Sequence, residues 1–293
     1  NLDVENQKAG ARVEVDTEKR NPHDFAVWIK APENHLMKWD SPWGPSYPGW
    51  HIECSVMSQK YLGEVFDIHT GGIDLIPTHH ENEIAQSKGM CGKIPANYWM
   101  HGEFLLINGG KMSKSLGNVY LLQDIVDRGY DPLVYKLFCY SIQYRKKLNF
   151  TWEGMDSAKI ALDRLREAYQ KHLTGTEDVA EELISKYEKD FNEAINDDLN
   201  MPVAMSVVWE VAKRTEKSKK VAELLKKFDR VLGIKIDEHK EEEIPDDIKE
   251  LLTKRVEARK NKDWAESDKI RDIIKEKGYI VKDSKEGQTV EKC

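Results

Sequence analysis

The string Gly109-Gly-Lys-Met-Ser-Lys-Ser-Leu-Gly-Asn118 carries the strongest chemical signal in the chain. Lys111 and Lys114 stand three residues apart among small neighbours, with glycines on both sides, which makes a mobile cationic loop. Phosphoryl and nucleotidyl transfer need positive charge delivered where negative charge builds up, on a segment able to close over its nucleotide. On spacing alone, a basic surface turn is the commoner explanation of Lys-x-x-Lys.

A second group of residues offers metal donors. His79 and Glu83 are four apart and share a face if their segment is helical. With Cys54 they supply an imidazole, a carboxylate and a thiolate, all good zinc ligands. Spacing alone favours the blander reading, a buried thiol near a helix with a polar face.

Both groups need a scaffold. Residues 1–50, rich in Trp, Pro and Gly, predict irregular structure with short strands such as Phe25-Ala-Val-Trp28. Gly49 to Gly63 predicts a helix that Gly63 ends. Glu64-Val-Phe-Asp-Ile-His69 alternates like a strand, and Thr70-Gly-Gly72 breaks it. His79 to Lys88 predicts a second helix stopped by Gly89, and Phe104-Leu-Leu-Ile107 a strand leading into Gly109-Gly110. Strand, glycine turn, helix and strand imply a parallel sheet, whose ligands sit at the carboxyl ends of its strands, where both glycine turns fall.

Beyond Phe150 the pattern is helical. Ala158 to Leu173 places Leu162, Leu165, Tyr169 and Leu173 near one face; Phe191 to Lys213 and Ala222 to Leu232 continue it as a bundle. Asp237 to Asp247, with seven acids, one lysine and Pro245, predicts a linker. Lys249 to Lys277 predicts a helix or helix pair ended by Gly278 before Tyr279-Ile-Val281. The fold class predicted is α/β: a partial Rossmann-type parallel sheet over residues 1–150, a helical bundle over 151–240 and a small α+β domain over 248–293.

A net charge of −7 speaks weakly against a general nucleic-acid binder, but Lys249 to Lys292 holds 13 Lys/Arg against 10 Asp/Glu, so a folded RNA could meet a local basic patch. No apolar run approaches the ~20 residues that span a bilayer, so no membrane partner is expected, and no signal peptide opens the chain. Cys54, Cys91, Cys139 and Cys293 are widely spaced and form no Cys-x-x-Cys pair, which predicts a reducing compartment, the cytoplasm. The chain opens on Asn1 and reads at once as the middle of a domain, so a piece of a longer polypeptide is expected.

Lys111-Met-Ser-Lys-Ser115 with Leu-Gly-Asn behind it resembles the signature loop of class I aminoacyl-tRNA synthetases. Gly49-Trp-His-Ile-Glu-Cys54, Gly71-Gly-Ile-Asp-Leu75 and His79-His-Glu-Asn-Glu-Ile-Ala-Gln-Ser87 resemble, in order and spacing, motifs of the cysteinyl-tRNA synthetase family. That resemblance implies ATP-dependent activation of cysteine to cysteinyl-adenylate and its transfer to the 3′ end of tRNA(Cys). It implies catalytic and ATP-binding roles for Lys111 and Lys114, with Gly72 and Asp74 at the nucleotide and magnesium accompanying ATP. One zinc ion per chain would be held by Cys54, His79 and Glu83, and Trp50 and His69 would line the cysteine pocket. A soft thiolate binds zinc far better than a hydroxyl does, so a metal-bound sulfur rejects serine where an apolar pocket manages only ~10–200-fold.

Asn149-Phe-Thr-Trp-Glu-Gly154 resembles the family's entry into its helical domain, and Asn196-Asp-Asp-Leu-Asn-Met-Pro202 a helix break within it. Arg255 to Trp264, Ser267 to Arg271 and Lys282 to Gly287 resemble its anticodon-binding domain. There Arg259, Asp268 and Asp283 would contact anticodon bases and Trp264 would offer a stacking surface. The resemblance runs from Gly10-Ala-Arg-Val-Glu-Val15 to Asp283 and is strongest over residues 41–118. The family's first signature, of His-Ile-Gly-His type, is missing, as are its first half of the nucleotide fold and its fourth zinc ligand, a cysteine. The active site is therefore expected to need an N-terminal portion outside this sequence. Two other functions fit parts of the pattern: a related ligase joining cysteine to an amino sugar, which should lack the anticodon-binding end, and a non-catalytic tRNA-binding module.

Overall fold

The computed structural model describes residues 19–21, 24–238, 245–284 and 287–292. The Gly10–Val15 motif, residues 239–244 of the acidic linker, Lys285, Glu286 and Cys293 lie outside the described residues. Contacts divide the chain into Asn1–Asp237 and Glu238–Cys293.

In the first unit, β1 (Trp28–Lys30) pairs antiparallel with β2 (Ser46–Pro48). Gly49 then begins α1 (Trp50–Leu62), which ends at Gly63 with φ 90°. Next comes a βαβ unit: β3 (Phe66–Gly72), α2 (Glu81–Cys91) and β4 (Ala96–Gly102), with the two strands parallel and His69 opposite Trp99. Three features differ from the sequence expectation. Thr70-Gly-Gly72 does not break the strand: β3 stays paired with β4 through Gly72, opposite Gly102. The entry to α2 is a short 3-10 turn, Ile73–Leu75, followed by a π turn, Ile76–His80. And Gly89 does not stop the helix; Gly92 does, in the left-handed conformation at φ 75° with its N–H on the Lys88 carbonyl. A glycine inside a helix costs only ~1 kcal/mol relative to alanine, so Gly89 weakens α2 without ending it.

A second sheet is built on β5 (Leu105–Ile107), which turns tightly into antiparallel β6 (Gly110–Lys111) and lies parallel to β7 (Leu148–Phe150). Between β6 and β7 the chain forms α3 (Leu122–Asp127) and α4 (Pro132–Cys139). The fold is thus α/β with two parallel strand pairs, followed by helices.

The helices are α5 (Trp152–Leu173), α6 (Glu181–Asn196), α7 (Met201–Ala212) and α8 (Lys219–Leu232). Thr151 caps α5 by accepting the Gly154 N–H at 3.0 Å, and Met155, Ala158, Leu162, Leu165 and Tyr169 form its buried stripe. Phe191 and Phe228 stack at 4.1 Å between α6 and α8. The run from Phe191 to Lys213 is not one helix: Asp198 and Leu199 take φ 52° and 53° between α6 and α7. The Asp198 carboxylate accepts from Tyr144 Oη and Arg145 Nε, both at 2.6 Å, and from Gln143 Nε2 at 3.1 Å, which offsets the cost of left-handed backbone. These bonds hold its pKa down to about 2. Ile107, Phe150, Phe138, Leu162 and Phe228 belong to one hydrophobic cluster, so the strands bearing the lysine loop rest on the bundle.

His172 is fully buried in α5. Its Nδ1 accepts the Ser218 N–H at 3.4 Å and its Nε2 donates to the Ala212 carbonyl at 3.1 Å, so the neutral ring satisfies both neighbours. Burial lowers its pKa, and Lys217 and Arg214 add to the effect against the Ala212 bond. The unfolded chain therefore takes up a proton first, near pH ~6.5. This contribution is complete above that pH and is lost as pH falls toward the folded value. The melting temperature should fall more between pH 7 and pH 5 for the wild type than for His172→Gln; parallel profiles would contradict it.

The second unit pairs α9 (Asp246–Lys260) with α10 (Trp264–Glu276), then β8 (Tyr279–Ser284) antiparallel with β9 (Gly287–Lys292). The helices are separate because Lys262 takes φ 61° and Asp263 caps α10 through the Glu266 N–H at 3.1 Å. Among the described residues no helix is long and apolar enough to cross a membrane.

Candidate metal centre and lysine loop

α1 carries Cys54 one turn from its start, and the π turn carries His79 and the first turn of α2 carries Glu83 to face it. π turns are rare and concentrate at functional sites. His79 is 5% exposed and Glu83 2%. The donor atoms of Cys54, His79 and Glu83 all lie within 4.8 Å of one another, and His79 Nε2 is 3.7 Å from Glu83 Oε1. Donors around tetrahedral zinc stand about 3.3–3.8 Å apart, given bonds of ~2.0–2.3 Å. The three residues fit that ion after a small closure. Burial, then the Glu83 and Glu53 carboxylates, push the Cys54 thiol up; a cation between thiol and carboxylate removes that conflict.

Surrounding residues fix these donors. Trp50 stacks on the His79 ring at 4.3 Å, and His51 Nδ1 lies 2.8 Å from His79 Nδ1, leaving Nε2 toward Glu83. His69, on β3, sets its Nε2 2.9 Å from Glu83 Oε2. It thus reaches the site through that carboxylate, and such outer contacts orient metal ligands. His80 Nδ1 meets His101 Nε2 at 2.8 Å, while His80 Nε2 stands 4.0 Å from Glu83 Oε2. Burial, then His69, His101 and His79, hold the His80 pKa down to about 4; burial and His79 lower that of His51. Gly71 must be glycine, since a Cβ there would lie 2.6 Å from the His80 ring.

Cys54, His79, Glu83, Trp50 and His69 therefore come together. The sequence did not assign His51, His80 or His101 to this cluster. His101 has no local signal: the β3–β4 register brings it opposite Gly71. Gly72 ends β3, and Asp74, exposed in the 3-10 turn, folds its carboxylate back over it.

The lysine loop hangs from the carboxyl end of β5. Asn108 and Gly109 take φ 49° and 76°, and Asn149 Oδ1 accepts the Gly109 N–H at 2.6 Å. Lys111 lies in β6 and Lys114 opens a 3-10 turn, Lys114–Leu116. Both are exposed, and neither has an ion-pair partner among the described residues.

In the second unit the structure joins Arg259 to Asp283 at 2.6 Å, with Arg255 gripping the same carboxylate through two bonds of 2.9 Å. Asp283 is held well below the usual carboxylate range by Arg255 first and Arg259 after it, against burial. Asp268 pairs instead with Arg271 at 3.2 Å, and Trp264 is exposed at the start of α10, four residues away. No hydrogen bond or ion pair among the described residues links either to Arg259 or Asp283. Arg255, 1% exposed and also bonded to Gln288 Oε1 at 2.7 Å, was not singled out by sequence. Arg255→Ala should destabilise this unit by about 2–3 kcal/mol, the scale of lost charged hydrogen bonds. Faster amide exchange in the β8–β9 ladder, with α5–α8 unchanged, checks it.

A loop bearing two exposed lysines follows β5 of one parallel strand pair, and Cys54, His79 and Glu83 gather beside β3 of the other. The model of the tRNA synthetase class I (C) catalytic domain matches residues 1–160, a DALR domain matches 190–237, and a cysteinyl-tRNA ligase anticodon binding domain matches 241–290. A LeuRS of Agrobacterium radiobacter K84, solved in a ternary complex with tRNA and LeuAMS, shares the fold. It gives a TM-score of 0.51 over 68% of this chain and 32% of that one, at 15% identity. Relatives narrow the class: cysteine–tRNA ligase 1 of Burkholderia lata is 43% identical over 98% of this chain, and the Treponema denticola and Bacillus cereus ligases are 42% and 44% identical over 97% and 95%. The chain belongs to the cysteinyl-tRNA synthetase family. It spans 61%, 64% and 63% of the length of these three relatives.

Proposed function

We propose that this chain carries the amino-acid-selecting cluster, the ATP-directed loop and the tRNA-reading units of a cysteine–tRNA ligase. In the reaction, the cysteine carboxylate attacks the ATP α-phosphate, giving cysteinyl-adenylate and pyrophosphate. A terminal hydroxyl of tRNA(Cys) then takes the cysteinyl group and releases AMP. The observation that carries this reading is the convergence of Cys54, His79 and Glu83 in a chain that also bears the lysine loop. Zinc on those residues supplies a soft site for a thiolate, which separates cysteine from serine. Trp50 walls the site and His69 orients Glu83. Asp74 and Gly72 meet the nucleotide, and Lys111 and Lys114 meet the phosphates of magnesium-bound ATP.

The fourth zinc donor and the rest of the nucleotide fold come from the portion of the relatives that this chain does not cover. Residues Glu238–Cys293 read the anticodon, with Trp264 and Asp268 on α10 and the Arg259–Asp283 pair as base contacts. Reduced thiols at the metal suit the cytoplasm. This second unit disfavours the amino-sugar ligase, which has no anticodon to read.

Pyrophosphate exchange should be negligible for this chain alone and appear once it is extended to the length of its relatives. Exchange by this chain alone at the extended polypeptide's rate would refute the dependence. Tight tRNA binding with no turnover in the extended polypeptide would favour a binding module instead.

A further inference from the structure

The lysine loop is held by Asn118, the last residue of the Gly109–Asn118 string, to which the phosphate chemistry above gives no role. Asn118 Oδ1 accepts the Ser113 N–H at 2.8 Å, and Asn118 Nδ2 donates to the Lys111 carbonyl at 2.9 Å. One half-buried amide thus ties the residue at the loop's entry to the residue just before Lys114. Between Ser113 and Asn118 the chain makes one tight turn. The Leu116 N–H meets the Ser113 carbonyl at 3.2 Å, and the Gly117 N–H meets that of Lys114 at 3.1 Å. Gly117, at φ 62°, then reverses the chain and brings Asn118 beneath the turn; left-handed backbone favours glycine. On the apolar side Met112 shares the lining of a cavity of about 120 Å³ with Leu105, Tyr120, Ile125, Tyr135 and Phe150. The backbone beside each lysine is therefore fixed, while both ammonium groups stay exposed.

The two bonds need an acceptor and a donor on one short side chain, which asparagine supplies; aspartate supplies only the acceptor, and glutamine adds a methylene. We propose that Asn118 is a positioning residue, whose amide sets the directions in which Lys111 and Lys114 leave the loop, so that both reach one phosphate chain. This rests on the reading of the two lysines as ATP-directed. Without the amide, a glycine-flanked loop samples many turns, and only a fraction of them present both charges together.

Amide exchange on the whole chain, without nucleotide, reads the contact. Asn118→Ala should speed exchange at Ser113 about tenfold, the worth of one hydrogen bond, and Asn118→Asp should leave Ser113 protected. In the extended polypeptide, Asn118→Ala should lower kcat for pyrophosphate exchange about tenfold or more with KM for cysteine unchanged, and Asn118→Asp should fall between it and the wild type. Unchanged Ser113 exchange, unchanged kcat, or an equal rise in the KM for cysteine would overturn the assignment. Wild-type rates in Lys114→Ala would instead sink the reading of the lysines themselves.

Discussion

Lys114→Ala, in the chain extended to the length of its relatives, is expected to slow adenylate formation by about 10²–10³-fold, the usual loss when one group that stabilises transition-state charge is removed. Lys114 opens the 3-10 turn at the loop's tip, is exposed, and has no ion-pair partner among the described residues. Its side chain therefore adds little to the fold, and truncation removes charge at the phosphates while α5–α8 and the second unit stand. Affinity for tRNA should be nearly unchanged. Single-turnover adenylate formation and tRNA binding on the same preparation separate the two effects. Equal losses in both would make Lys114 a structural residue.

Cys54→Ser is expected to lower zinc content and cysteine discrimination together. Serine keeps the shape of the α1 position but replaces a soft anionic donor by a hard neutral one, and His79 with Glu83 alone makes a poor zinc site. Rejection of serine should then fall toward the ~10–200-fold that contact and shape provide. Because Cys54 is only half-buried on α1, the helix itself should persist. Metal analysis beside pyrophosphate exchange with cysteine and with serine checks it. Unchanged zinc stoichiometry would remove Cys54 from the ligand set.

The convergence of Cys54, His79 and Glu83 was legible only through the motif strings that resemble the family, since the four-residue spacing of His79 and Glu83 by itself favoured a polar helix face. The turn between β5 and β6 was legible from the glycines at its bend. What the sequence could not show depends on contacts between distant segments. His101 enters the site only through the register of β4 against β3, and His51 only because α1 lies against the π turn. Arg255 looked like one charge on a solvated helix, yet β8 and Gln288 of β9 bury it. β9 itself has Val290 as its one apolar residue, too little for alternation to reveal a strand. At Gly89 a correct local rule met a helix whose packing outweighed it, and the stop moved to the next glycine able to turn left-handed.

Cobalt(II) in place of zinc gives a direct readout of the proposed site, through the thiolate-to-metal charge-transfer absorption in the near ultraviolet. The extended polypeptide should show this band, Cys54→Ser should weaken it, and free cysteine should intensify it where serine does not. No thiolate band in the wild type, or the same response to serine as to cysteine, would contradict selection of the amino acid by its sulfur.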